Sequence, residues 1–133
     1  MKTAELFDYF LRSRKVTTDT RNISKDCIFF ALKGANFNGN TFAQQAIEQG
    51  ALLAIVDEAE YENTEQHIYL VEDALEALQD LARFYRIHLR IPVIGLTGSN
   101  GKTTTKELIS AVLKEKFKTH YTFGNLNNHI GVP

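Results

Sequence analysis

Residues 95–106, GLTGSNGKTTTK, restrict the possible folds of this chain more than any other segment. The segment is entered from an apolar run, VIGLT, and apolar residues recur at helical spacing after Lys102. Gly98 and Gly101 allow a tight turn in which backbone N–H groups face inward. The pattern predicts a strand, a glycine loop and a helix, which is how α/β folds bind anions at the edge of a sheet.

This loop departs from the usual phosphate-loop spelling by one residue. In G-x-x-x-x-G-K-[ST] the first glycine would fall at position 96, which is Leu96. The other elements are present, because Lys102 can reach nucleotide phosphates and the Thr103 hydroxyl can bind Mg²⁺. The alternative is a glycine turn whose lysine is simply solvated. Three consecutive threonines are poor helix formers, so hydroxyl chemistry explains them better and favours a nucleotide site.

Strand-like and helix-like segments alternate along the rest of the chain. The apolar runs CIFFALK, ALLAIVD, HIYLVE and VIGLTG are short enough to be buried strands, and KTHYTF is a weaker candidate. Helical spacing is found in residues 3–11, 41–49, 74–89 and 102–117. Gly50 suits the end of the second helix, and Asp73 suits the N-cap of the third. This alternation predicts an α/β fold with a largely parallel sheet.

A break near Pro92 divides the chain into two predicted domains. Residues 1–88 form a small α/β unit of about three strands and three helices. Residues 89–133 contain only the opening of a nucleotide-binding domain, which normally needs roughly 100–200 residues. We therefore expect the chain to be a truncated form of a longer protein.

Composition excludes several classes of function. The chain has 133 residues, of which 44% are hydrophobic and 23% charged, and its formal net charge is −1. That charge gives no reason to expect nucleic acid or an anionic membrane as a partner. No apolar stretch approaches the roughly 20 residues needed to span a bilayer, and we expect no signal peptide at the N-terminus. We expect a cytoplasmic protein whose single cysteine, Cys27, is a small buried hydrophobe.

Three segments together resemble one protein family. TGSNGKTTTK resembles the ATP loop of the Mur ligases, amide-forming enzymes of peptidoglycan synthesis, and folylpolyglutamate synthetases share its short G-x-x-G-K-T form. VTTDTRNISKDCIFFALKGANFNGNTFAQQAIEQGA looks like the N-terminal domain of Mur ligases that take UDP-linked muramoyl peptides. GNLNNHIGVP resembles a loop in the branch that adds D-alanyl-D-alanine. The segments occur in the family's order and cover nearly the whole chain.

The resemblance implies two sets of site residues. ATP and Mg²⁺ would bind the glycine loop, with Lys102 as the catalytic residue and Thr103 as the metal ligand. The implied ATP-binding residues are Thr97, Gly98, Ser99, Asn100, Gly101, Lys102, Thr103 and Thr104. The implied substrate-binding residues are Thr18, Asp19, Thr20, Arg21, Lys33, Gly34, Asn38, Asn40, Thr41, Asn125, Asn127 and Asn128. Many relatives have D-G-H where this chain has Asn38-Gly39-Asn40.

The function implied by the resemblance is ATP-dependent amide ligation. The complete enzyme would be a monomer that joins D-alanyl-D-alanine to a UDP-N-acetylmuramoyl tripeptide through an acyl phosphate. We expect the 133-residue chain alone to be inactive as a ligase. The alternatives are another Mur ligase, a folylpolyglutamate-type synthetase, a generic P-loop NTPase or kinase, and a non-catalytic UDP-binding module.

Overall fold

The computed structural model describes residues 1–122, 124 and 128–133 of the chain. These residues divide into two compact units, Met1–His88 and Leu89–Pro133. Within the described part of the chain, no helix is both long and apolar enough to cross a membrane.

The first unit is built around a parallel sheet of four strands. The strands of the unit are β1 (Val16–Thr17), β2 (Ile28–Phe30), β3 (Lys33–Gly34), β4 (Phe37–Asn38), β5 (Leu53–Val56) and β6 (Ile68–Leu70). The order in the sheet is β1-β2-β5-β6, and every neighbouring pair is parallel. Strands β3 and β4 form a separate antiparallel pair. The predicted α/β class is therefore confirmed.

The described residues contain four α-helices, of which the last lies in the second unit. They are α1 (Thr3–Ser13), α2 (Ala43–Glu48), α3 (Ala74–Leu89) and α4 (Lys102–Lys114). Short 3₁₀ turns occupy Thr20–Asn22, Gly39–Phe42, Ala59–Tyr61 and Thr64–Gln66. The Asp73 carboxylate accepts a hydrogen bond of 2.8 Å from the Glu76 N–H, which confirms it as the N-cap of α3. Gly50 follows α2 at φ 104°, as expected of a stop residue.

The sheet has a hydrophobic cluster on each face because side chains alternate along a strand. On one face Ile28 and Phe30 pack with residues of α1 and α3. On the other face Cys27 and Phe29 pack with Ala43 and Ala46 around α2. Burial on both faces explains why the strands read as continuous apolar runs rather than alternating ones. Cys27 is 1% exposed, so the prediction that it is buried is confirmed.

Some predicted elements differ from those observed. The run at residues 93–96 forms no strand, and Val93 and Ile94 are 55% and 61% exposed. Residues 118–122 of the KTHYTF segment are likewise not a strand. A strand needs a partner for its backbone groups, and none of the described residues pairs with these segments. Both strand predictions were wrong.

Other differences concern short or terminal segments. Helix α4 ends at Lys114, whereas the apolar spacing predicted residues 102–117. Strand β1 has only two residues and was not among the strands that the sequence predicted. Strand β1 is set by its register against β2, Val16 opposite Ile28, and not by its own apolar content.

Candidate functional site

Polar residues collect at the carboxyl edge of the four-stranded sheet. Residues 18–21 follow β1, and Lys33 lies three residues beyond β2. Asp57 and Glu58 follow β5 directly. Because the strands are parallel, their carboxyl ends lie at one edge, where open α/β sheets bind their ligands. The first unit therefore brings two of the sequence-predicted segments, residues 18–21 and Lys33, to one edge together with an acidic pair.

Asn40 and Asp57 are the centre of this edge. The Asn40 side chain is fully buried. Its Nδ2 donates to Asp57 Oδ1 at 2.8 Å and to Asn38 Oδ1 at 2.9 Å, and its Oδ1 accepts from the Asp57 N–H at 2.9 Å. Asp57 Oδ2 accepts from the Ala74 N–H at 3.4 Å, at the start of α3. The network connects the β3–β4 hairpin, the end of β5 and the start of α3.

Lys33 is the cation of the same cluster. Its ammonium lies 3.0 Å from Asp57 Oδ1 and 3.5 Å from Glu58 Oε1, while 45% of its side chain is exposed. The hydrogen bond to Asp57 raises the pKa of Lys33. Burial alone would raise the pKa of Asp57, but hydrogen bonds from Asn40 and Lys33 outweigh burial and lower it. Both groups are therefore charged at neutral pH.

Glu58 is also hydrogen-bonded to the turn formed by Asn38, Gly39 and Asn40. The Asn38 Nδ2 donates to Glu58 Oε2 at 2.9 Å, and the Asn38 carbonyl accepts from the Thr41 hydroxyl at 2.9 Å. Sequence reasoning missed Asp57 and Glu58 as members of the site. The signal that could have found them is an acidic pair placed directly after an apolar strand, at the ligand-binding edge of the sheet.

Gly39 is required for the turn to approach β2. A Cβ at position 39 would lie 2.5 Å from the Leu32 backbone oxygen and 2.8 Å from the Ala31 carbonyl carbon. The Gly39 N–H donates to that Leu32 oxygen at 3.0 Å. The backbone of the Asn38-Gly39-Asn40 turn therefore packs against Ala31 and Leu32, just after β2, at a distance that only glycine permits.

Asp19 and Arg21 form a second group at this edge. Arg21 Nε donates to Asp19 Oδ1 at 2.9 Å, and Arg21 Nη2 donates to Asp19 Oδ2 at 2.7 Å. The Arg21 side chain is 86% exposed. The hydrogen bonds from Arg21 lower the pKa of Asp19 to about 2. The Arg21 guanidinium, which the resemblance implies for substrate binding, is thus paired with a carboxylate of its own turn.

The glycine loop lies in the second unit and leads into α4. Gly98 has φ 145° and Gly101 has φ 75°, and a Cβ at either would have no other atom within 4 Å. Gly101 is the N-cap residue of α4, whose first backbone N–H groups have no partner within the helix. An open, glycine-lined turn at a helix N-terminus has the geometry expected of an anion-binding loop.

Lys102 folds back across this loop. Its ammonium donates to the Gly98 carbonyl, and it lies 3.4 Å from the Ser99 carbonyl. A cation held at the mouth of the loop, together with the hydroxyl of Thr103 in the first turn, suits a nucleotide phosphate and Mg²⁺. Within the described ranges, no group of three or more His, Cys, Asp or Glu side chains could hold a metal.

The segment after α4 is described only in part. Asn125 and Asn127, predicted to bind substrate, lie outside the described residues. Asn128 Oδ1 accepts from the backbone N–H groups of Ile130 and Gly131, at 3.2 Å and 2.7 Å. The Asn128 side chain thus stabilises its own turn.

Family comparisons match both units. Residues 13–86 match the Mur ligase family, catalytic domain, and residues 96–133 match the Mur ligase middle domain. The chain belongs to the Mur ligase family. The resemblance read from the three sequence segments is therefore confirmed.

Two curated relatives carry the same enzyme name. UDP-N-acetylmuramoyl-tripeptide–D-alanyl-D-alanine ligase of Bacillus subtilis is 48% identical over 119 residues, and that of Escherichia coli is 44% identical over 118 residues. Each comparison covers 89% of this chain and 26% of the relative. This Mur ligase chain therefore spans about a quarter of the length of the curated relatives that it matches.

Solved structures give the same result. MurF from Acinetobacter baumannii matches with a TM-score of 0.81 and 37% identity, over 90% of this chain and 26% of that protein. MurF from Thermotoga maritima, solved in complex with ADP, matches with a TM-score of 0.80 and 34% identity. The latter comparison covers 92% of this chain and 28% of that structure. The fold of this Mur ligase chain is thus that of the corresponding part of MurF.

Proposed function

We propose that this chain is part of an ATP-dependent ligase that joins D-alanyl-D-alanine to a UDP-N-acetylmuramoyl tripeptide. The relatives at 44–48% identity carry this activity in their names. The observation that carries the proposal is the glycine loop, where Gly101, Lys102 and the first turn of α4 provide a site for a triphosphate. The reaction would proceed through an acyl phosphate on the substrate carboxylate.

In this proposal Lys102 stabilises the negative charge of the transferred phosphoryl group. Its ammonium is within reach of the loop backbone and would exchange the Gly98 carbonyl for phosphate oxygens. The backbone N–H groups of residues 97–104 and the Ser99, Thr103 and Thr104 hydroxyls would orient the nucleotide. Mg²⁺, held by the Thr103 hydroxyl and by phosphate oxygens, would neutralise charge on those oxygens. These roles rest on the position of each group at the N-terminus of α4.

Residues 1–88 would bind the UDP end of the substrate at the carboxyl edge of the sheet. Lys33, Thr41 and the 18–21 turn provide a cation, a hydroxyl and a guanidinium there. Asn38 and Gly34 form part of the neighbouring hairpin. Binding energy from this end would position the reacting carboxylate without taking part in the chemistry. We place the enzyme in the cytoplasm and expect it to be monomeric.

Calorimetry on the 133-residue chain tests both halves of the proposal. The wild-type chain is expected to bind ATP with Mg²⁺ and, separately, UDP. Lys102→Ala should weaken ATP binding by about tenfold to a hundredfold, because hydrogen bonds to charged groups are worth this much. UDP binding should be unchanged, since Lys102 lies in the other unit. The matched control is Lys114→Ala at the far end of α4, whose ammonium contacts Tyr121 and not the loop.

The outcomes separate the alternatives. ATP binding without UDP binding would favour a generic P-loop NTPase, and UDP binding without ATP binding would favour a non-catalytic UDP-binding module. Expressed as part of a protein of the relatives' length, the chain should support phosphate release that depends on D-alanyl-D-alanine. A Lys102→Ala protein that retained this release would contradict the proposed role of the loop.

A further inference from the structure

The polar edge of the first unit contains one side chain that no ligand can reach in the observed conformation. Asn40 has an exposed fraction of 0%, and each of its side-chain polar atoms has a protein partner. Its neighbour Lys33 keeps 45% of its side chain exposed. The buried Asn40 amide can therefore position neighbouring side chains, whereas the exposed Lys33 ammonium can contact a ligand.

We propose that Asn40 is a positioning residue that acts through Asp57 on Lys33 and does not itself contact the UDP-linked ligand. The inference rests on the proposed function of residues 1–88. It assigns ligand contact to Lys33 and gives Asn40 and Asp57 the task of holding that lysine.

Asn40 holds Asp57 at two points. The Asn40 Oδ1 accepts the Asp57 N–H at 2.9 Å, which fixes the backbone, and its Nδ2 donates to Asp57 Oδ1 at 2.8 Å, which fixes the carboxylate. The Ala74 N–H occupies Asp57 Oδ2 at 3.4 Å. The Asp57 side chain, 8% exposed, therefore has one defined orientation.

That orientation determines where Lys33 can lie. Asp57 Oδ1, the oxygen that Asn40 holds, is also the one that lies 3.0 Å from the Lys33 ammonium. Glu58 contributes a second contact at 3.5 Å, and Asn38 holds Glu58 in turn. A flexible lysine is thereby restricted before any ligand arrives, which reduces the entropy lost when the ligand binds.

A double-mutant cycle on UDP affinity tests the inference. Calorimetry would compare the wild-type chain with Lys33→Met, Asn40→Ala and the double variant. We expect Lys33→Met to weaken UDP binding about tenfold, because a charged contact is lost. Asn40→Ala should weaken it about fivefold, because Lys33 is no longer held in position. The double variant should bind about tenfold more weakly than wild type rather than about fiftyfold, because the two residues act as one unit.

The controls distinguish positioning from folding. Circular dichroism checks each variant, and Asn40→Ser, which keeps a hydroxyl donor, is the milder change if Asn40→Ala does not fold. Asn63→Ala removes an asparagine that caps its own turn through the Gln66 N–H, and it should leave UDP affinity unchanged. The rate at which acetic anhydride modifies Lys33, followed by mass spectrometry against Lys25, should rise in Asn40→Ala because the lysine is released.

Each result bears on the inference. Non-additive effects together with faster Lys33 modification support it. Additive effects in folded variants, or an unchanged Lys33 rate, overturn it while leaving the proposed function intact. If the wild-type chain does not bind UDP, the proposed function of residues 1–88 fails and this inference fails with it.

Discussion

The cations of the first unit's polar edge are paired with carboxylates before any ligand binds. Lys33 lies 3.0 Å from Asp57, and Arg21 is held by Asp19 within its own turn. The lysine of the glycine loop, Lys102, instead donates to the Gly98 and Ser99 carbonyls. An incoming phosphate would displace a neutral acceptor from Lys102 but would compete with a charged one at Arg21. This contrast is consistent with a loop whose lysine is available to a triphosphate and an edge whose cations are already paired with carboxylates.

Gly39 gives the clearest prediction at the residue scale. Gly39→Ala should destabilise the chain by about 1–3 kcal/mol or more, because the new Cβ would meet backbone atoms of Ala31 and Leu32, just after β2, that cannot move aside. Gly34→Ala is the matched control, since a Cβ there has no other atom within 4 Å. Urea denaturation followed by circular dichroism measures both. Equal stability of the two variants would contradict the close approach of the turn to β2.

Helix α3 of the first unit is stabilised by side chains at its N-terminus as well as by its apolar face. Helix α3 starts at Ala74, where Asp73 accepts the Glu76 N–H and Asp57 accepts the Ala74 N–H. It then buries Leu78 and Leu81 against the sheet. Two carboxylates at one helix N-terminus also interact favourably with the helix dipole. Helix α3, which packs on one face of the sheet, is therefore hydrogen-bonded at its first residue to Asp57 of the polar edge.

At the element scale, Asp73→Ala should lower the free energy of unfolding by about 1 kcal/mol through loss of the N-cap. Asp80→Ala is the control on the same helix. Asp80 pairs with Arg83 at 2.6 Å on an exposed surface, so its loss should cost less than about 0.5 kcal/mol. Thermal and urea unfolding curves distinguish the two. A larger loss from Asp80→Ala would mean that surface pairing, not capping, stabilises α3.

At the scale of the whole molecule, burial is concentrated in one unit. Both hydrophobic clusters lie within residues 1–88. Among the described residues of the second unit only Ser110 is buried, and Leu108 and Val112 of α4 are 64% and 73% exposed. A helix without a packed apolar face has little to stabilise it beyond its own hydrogen bonds. The two units should therefore differ strongly in stability.

Amide hydrogen exchange checks this difference. The amides of β2 and β5 should exchange most slowly and those of α4 much faster, with ATP and Mg²⁺ slowing exchange in the first turn of α4. Leu53→Ala, at a fully buried position, should speed exchange throughout residues 1–88, whereas Leu108→Ala should not. Exchange in α4 as slow as in β5 would contradict the prediction.

Local pattern was enough for much of the architecture. The start of α3 and its cap, the stop at Gly50, and the core strands β2, β5 and β6 all follow from periodicity and from single residues whose chemistry acts on their neighbours. The glycine loop and its helix are equally local, since Gly98, Gly101 and Lys102 act within a few residues of one another. For these features the sequence alone was sufficient.

Contacts between distant residues were decided only by the tertiary structure. Asp57 and Glu58 meet Lys33 and Asn38 because parallel pairing of β2 with β5 brings both carboxyl ends to one edge, across about 20 residues of chain. The two-residue strand β1 exists through its register with β2, and the apolar run at 93–96 is not a strand because no described segment pairs with it. Sequence determines local geometry directly, whereas strand pairing depends on a partner elsewhere in the chain, and so the contacts that join the residues of the polar edge were decided only by folding.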